Sequence, residues 1–318
     1  RDTNLVEIIR YFSMQMGISS FFIDEIHFTN MYEAALKELY DFSSVKLWIT
    51  SSVALSLYSS AWDLSRRVVT SYLLPFSFRE YLFFKTNITI EPLHLRKALF
   101  ETIQPEYLRT LPYFKEYIAG GLYPFFLESG AEVSQFTHMI EKILHDDIPH
   151  FDSQLTVEDV ASMEKILTFI GKSPLDGINY SSISKNVGIT KYKAEKFIGL
   201  LERSFLVKQA FPRGTNVLKE PKIFMELPYR LLYKSYGEAV GELREDFFSL
   251  VMAQHGVHFF YAKSTRGRKT PDFFIEFDGE NIVIEIGGAG KGRSQFKGFE
   301  YDRKIVLYDP GRENAMGA

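Results

Sequence analysis

Cysteine is absent from the 318 residues, which excludes disulfides and thiolate metal sites. A surplus of positive charge is also missing. Lys and Arg number 37 against 40 Asp and Glu, a formal net charge of -3, so nothing global draws the chain to nucleic acid or to an anionic membrane. Any such binding needs a local patch. No uninterrupted apolar run reaches the roughly 20 residues of a membrane span, and no signal peptide opens the sequence. The expectation is a cytoplasmic protein without a membrane partner. Tryptophan is scarce at 2, whereas 29 Phe and 18 Tyr supply the large rings that fill cores and domain interfaces. With 46% hydrophobic and 24% charged residues the composition is globular, and the length predicts two or three domains. There is no internal repeat or low-complexity tract. The sequence opens at Arg1, inside a helix-patterned stretch, and reads as a fragment or a processed chain.

Apolar spacing predicts a helix from Leu5 to Met16, a buried parallel strand at Ser20-Phe21-Phe22-Ile23, and a helix from Tyr32 to Phe42. A second strand follows at Val45 to Thr50. Strand, helix, strand with polar residues at the strand ends is the pattern of a wound α/β sheet, whose ligands bind at the carboxyl ends of the strands. Residues 61–155 read as mostly helical, interrupted at Pro75, Pro92 and Gly120-Gly121.

The first strand delivers two adjacent carboxylates, Asp24 and Glu25. Such a pair suits nucleotide hydrolysis: one carboxylate helps hold Mg²⁺ and the other polarises the attacking water. It equally suits an acidic helix cap. The second strand ends in Thr50-Ser51-Ser52, where a hydroxyl can sense a γ-phosphate. Arg66-Arg67 come next, then Pro75-Phe76-Ser77-Phe78-Arg79-Glu80-Tyr81 and Tyr117-Ile118-Ala119-Gly120-Gly121-Leu122-Tyr123-Pro124. In this order the tracts resemble the prokaryotic AAA+-type P-loop ATPases related to the STAND class. The resemblance implies that Asp24 is the Walker B magnesium residue and Glu25 the catalytic glutamate. It makes Ser51 or Ser52 the sensor, Arg67 a γ-phosphate arginine, and ATP with Mg the cofactors. Ser51 and Arg66 stand where that family has glycine.

The chain departs from the family most at the phosphate-binding loop. No G-x-x-x-x-G-K-[ST] occurs in it. Gly171-Lys172-Ser173 has Ile166 in place of the first glycine, and Gly288-Ala289-Gly290-Lys291-Gly292 has the wrong spacing. Without a backbone N–H cradle and its lysine, phosphates lose most of their site. The chain by itself is therefore expected not to hydrolyse ATP.

Helix patterns at Met163–Ile170, Tyr180–Asn186 and Thr190–Arg203, with strands at 205–207 and 223–225, have the spacing of a winged helix-turn-helix. The third helix carries Lys191, Lys193 and Lys196, which could meet DNA phosphates or form a solvated face. Further on, strands opening at Pro271-Asp272 and carrying Glu285, with Glu245 on the preceding helix, resemble the PD-(D/E)-x-K nuclease core. That resemblance makes Glu245, Asp272 and Glu285 metal ligands. The partner-lysine position is Gly287, leaving only Lys291 or Lys297 to reach back. The 7 histidines show no metal-ligand spacing and read as surface or satisfied core residues.

The fold class expected is α/β. A partial P-loop NTPase core (1–85) leads to a helical lid (86–158), a winged-helix-like domain (159–228) and a restriction-endonuclease-like α/β domain (229–318). Three functions follow: an ATP-dependent switch or motor, an adaptor for DNA or another protein, and a metal-dependent nuclease.

Overall fold

The computed structural model describes residues 4–51, 64, 66–101, 104–128, 131–213, 220–262, 271–287 and 301–307. The chain forms two compact units, one of residues 1–73 with 142–156 and the other of residues 74–141 with 157–318. Together they make a mixed α/β protein of helices and small sheets.

In the first unit, α1 (Leu5–Met16) begins where the Asn4 side chain accepts from the Val6 N–H and ends at Gly17, whose φ of 67° permits the left-handed cap. β1 (Ser20–Ile23) and β2 (Lys46–Ile49) pair in parallel, Ile23 opposite Ile49, joined by a crossover containing α2 (Tyr32–Phe42). Val6, Ile9 and Leu39 form one buried cluster, and Ile26, Tyr32, Leu36 and Leu64 form a second. Leu144 and Ile148, from the helical turns at Ile143–Phe151, are buried as well. The expectation of a fully buried strand needs correcting. Phe21, Ile23, Leu47 and Ile49 pack against these clusters, but alternate residues point the other way. There Phe22 and Trp48, 78% and 47% exposed, stack on each other with ring centroids 4.7 Å apart.

The second unit starts with α3 (Phe78–Thr86). Its first turn is closed by a capping box in which Ser77 and Glu80 exchange hydrogen bonds, so the Ser77-Phe78-Arg79-Glu80 tract is a helix start. Tyr81 and Leu82 from this helix pack with Tyr117, Ile118 and Leu122, and the Tyr117 hydroxyl donates to the Phe76 carbonyl at 2.7 Å. The paired glycines allow that approach. A Cβ on Gly121 would lie 2.5 Å from the Tyr81 ring, and one on Gly120 would lie 2.6 Å from Phe126.

Beyond this core come α4 (Val157–Lys172), α5 (Tyr180–Val187) and α6 (Lys191–Arg203), with Thr190 capping α6 and Gly188 closing α5 in the left-handed conformation. An antiparallel pair follows, β3 (Val207–Ala210) with β4 (Lys222–Met225). α7 (Tyr236–Gln254) then leads into a four-stranded sheet of β5 (Phe259–Tyr261), β6 (Phe273–Phe277), β7 (Glu280–Ile286) and β8 (Arg303–Leu307). Its first three strands are antiparallel and β8 runs parallel to β7. The β6–β7 hairpin turns at Asp278-Gly279, both at positive φ, as the Asp-Gly pair predicts.

A buried ion pair pins the middle of this unit. The Arg230 guanidinium donates to both Asp246 carboxylate oxygens, at 2.5 and 3.2 Å, and to the Ile170 carbonyl at 2.9 Å. Asp246 also accepts from the Met225 N–H. One guanidinium and one carboxylate thus join α4, β4 and α7 with their polar atoms satisfied.

Candidate active site

The parallel register of β1 and β2 carries past the strand ends. Thr50 N–H donates to the Ile23 carbonyl and Ile26 N–H to the Thr50 carbonyl, both at 2.9 Å, so Asp24 stands beside Thr50. The Thr50 hydroxyl donates to Asp24 Oδ1 and accepts from the Glu25 backbone N–H at 3.2 Å. One hydroxyl therefore orients the first carboxylate and anchors the backbone of the second. Glu25 has φ 50° and ψ 52°, a left-handed conformation that is uncommon for a side chain with a Cβ and is tolerated where surrounding bonds enforce it. The family resemblance implies a sensor at Ser51 or Ser52, whereas the hydroxyl in contact with Asp24 and Glu25 is that of Thr50. The signal was present, since parallel strands in register put the residues after Ile23 and Ile49 side by side.

Ser51 turns elsewhere. Its hydroxyl lies 2.9 Å from His27 Nδ1, and the same nitrogen lies 3.3 Å from Glu25 Oε2. His27 is buried, with its ring against Phe28 and 6.0 Å from the ring of His150. Burial lowers its pKa, opposed by the Glu25 and Asp147 carboxylates and reinforced by His150 and Lys142. The expectation of a satisfied core histidine fails at one atom: His27 Nε2 is buried and has no hydrogen-bond partner among the described residues. Ser52 lies outside the described residues. Arg67 is committed to Asp41, to which it donates through Nε and Nη2 at 3.1 and 3.0 Å.

This donor set fits a magnesium nucleotide in part. Asp24 and Glu25 stand at the carboxyl ends of parallel strands, where such a ligand binds. The phosphate cradle is not in the sequence. Among the described residues no group of three or more His, Asp or Glu is arranged to hold a metal ion.

In the second unit, two of the three lysines on α6 are engaged internally. Lys193 pairs with Asp159 at 2.8 Å and Lys191 pairs with Glu220. Lys196, on the same helix, has an interaction within the protein too. The nuclease-like carboxylates are also committed. Asp272 accepts from the Ile286 N–H at 2.7 Å, and Glu245 accepts from Lys222 Nζ at 2.7 Å. Glu285 is buried on β7. Lys291 and Lys297 lie outside the described residues. The lysine beside Glu245 comes from β4 instead, a position that no spacing around Glu285 could reveal. Burial pushes Glu245 up to about 7 against the pull of Lys222. For Lys222, burial acts downward, but Glu245, Asp176 and Asp272 carry its pKa above the usual value. An ammonium group already sits among these carboxylates, so the set does not fit a divalent cation.

Residues 1–82 match the family described as AAA domain, and residues 111–226 match a domain of unknown function. The N-terminal part of the chain is thus related to the AAA-type ATPases. Over 322 aligned residues the chain is 27% identical to an uncharacterized protein of Methanocaldococcus jannaschii, with 92% of this chain and 68% of that protein covered. No solved structure matches the chain. Among the described residues no helix is long and apolar enough to cross a membrane.

Proposed function

We propose that this chain carries the hydrolytic half of an AAA-type ATPase or nucleotide-driven switch, with a helical lid, a winged-helix-like domain and a nuclease-like domain behind it. The observation that carries the reading is the Asp24–Thr50–Glu25 arrangement at the ends of two parallel strands. Asp24, oriented by the Thr50 hydroxyl, is the carboxylate that would hold the nucleotide's magnesium. Glu25 is the base that takes a proton from the attacking water as it meets the terminal phosphate. Magnesium bound with the nucleotide would supply the positive charge that offsets the phosphate oxygens. No G-x-x-x-x-G-K-[ST] loop to hold the phosphates occurs among these residues.

Steady-state ATPase assays test this. The chain by itself is expected to show no Mg²⁺-dependent turnover, and turnover that Glu25→Gln abolishes would overturn that half of the reading. A polypeptide in which a G-x-x-x-x-G-K-[ST] strand–loop–helix precedes residue 1 is expected to hydrolyse ATP. Glu25→Gln should then cost on the order of 100-fold or more in turnover. Unchanged turnover in that variant would remove Glu25 from the chemistry.

A further inference from the structure

The unpartnered Nε2 of His27 stands on the far side of a ring whose Nδ1 has two suitors. One nitrogen cannot serve both in the same way. Protonated, Nδ1 donates to the Glu25 carboxylate. Unprotonated, it accepts from the Ser51 hydroxyl, and its lone pair repels Glu25. In a neutral imidazole the choice at Nδ1 fixes the proton at Nε2, and the partner of one nitrogen sets the state of the other.

A second buried atom lacks a hydrogen bond nearby. Asp147 Oδ1, on the Ile143–Asp147 turn, is buried and makes none among the described residues, although Lys142 Nζ lies 3.4 Å away in ion-pair range. Asp147 acts electrostatically on His27, and His150, one turn on, has its ring beside His27 and Phe28. The charged and titratable groups acting on His27 are therefore Glu25, Asp147, His150 and Lys142. Leu144 and Ile148, which flank Asp147, are buried, so the carboxylate is carried on a packed segment and moves with it.

We propose that His27 is a positioning residue that couples Glu25 to the Ile143–Phe151 segment through its tautomer. When Asp147 takes a hydrogen bond from Nε2–H, Nδ1 must accept from Ser51 and Glu25 is released. When Asp147 withdraws, the proton returns to Nδ1 and holds Glu25 in its left-handed conformation. With Nε2 bare, the present geometry corresponds to the Nδ1–H tautomer, because a buried N–H left without an acceptor is rarer than an unfilled lone pair; that proton faces Ser51 Oγ at 2.9 Å and Glu25 Oε2 at 3.3 Å. The assignment of Glu25 as the base rests on the function proposed above, whereas the coupling itself does not.

Nitrogen NMR of the chain with ¹⁵N-labelled histidine tests the coupling without any turnover, with His27→Gln used to assign the signals. The wild type is expected to be neutral at pH 7 and to average the two tautomers with Nδ1–H in the majority. Glu25→Ala, or Glu25→Gln if the alanine variant does not fold, should move the average toward Nε2–H. Asp147→Asn should move it the opposite way, toward pure Nδ1–H. Opposite displacements are the signature of a relay, since a merely structural histidine keeps one tautomer in all variants. Failure of either variant to move the signals in its stated direction overturns the coupling and leaves the ATPase reading standing. Loss of ATPase function with the displacements intact does the reverse.

Discussion

Individual residues here carry roles that spacing alone does not disclose. The β1 carboxylates were legible because an apolar run ending in Asp24-Glu25 is a local pattern. Thr50 is legible only through strand register, and the surroundings of His27 are not legible at all, since they include a turn more than a hundred residues away. Lys222 is a similar case: it reaches Glu245 from another strand. That pair has a pH signature. Glu245 is raised from 4.5 to about 7 in the folded state, so folding favours its protonated form. Its stabilising contribution is full below about 4.5 and is lost as pH rises through about 7. Relative to Glu245→Gln, the wild type should lose denaturant stability across that window and level off above it, as urea titrations at several pH values will show. A constant difference would mean that Glu245 ionises normally.

Elements were more legible than residues. The α1 span, the α6 start at Thr190 and the Asp278-Gly279 hairpin follow from caps and turns that act over three or four residues. The exposure of one face of β1 and β2 was not foreseeable, because an apolar run does not say how many layers cover it. Two family-like tracts turned out to be partners in packing: Ser77 and Glu80 start α3, and Gly120-Gly121 let Tyr81 and Phe126 approach. Gly121→Ala sets a methyl group 2.5 Å from Tyr81 and 3.2 Å from the Glu116 carbonyl. The expected cost is about 1–3 kcal/mol of stability, measurable by thermal or urea unfolding. A neutral result would show that the Tyr81 ring can shift freely.

At the scale of the whole molecule, the second unit is held at its centre by charge as well as by apolar packing. Arg230 and Asp246 are both fully buried and hydrogen-bonded to each other and to two backbone groups. Arg230→Met leaves a buried carboxylate without its cation and is expected to cost about 3–5 kcal/mol. Replacing both residues with apolar ones of similar volume should recover much of that loss. Circular dichroism during urea unfolding reads this effect in the helix-rich second unit, and a single variant as stable as the wild type would show that the pair is dispensable. The stacked Phe22–Trp48 pair gives the first unit an optical signal. Trp48 belongs to the first unit, so its indole emission reports on that unit. Trp48 lies on β2 two residues before Thr50, which follows the strand end, and is half-exposed against Phe22. Its quenching and wavelength are a label-free probe of whatever next approaches Asp24 and Glu25.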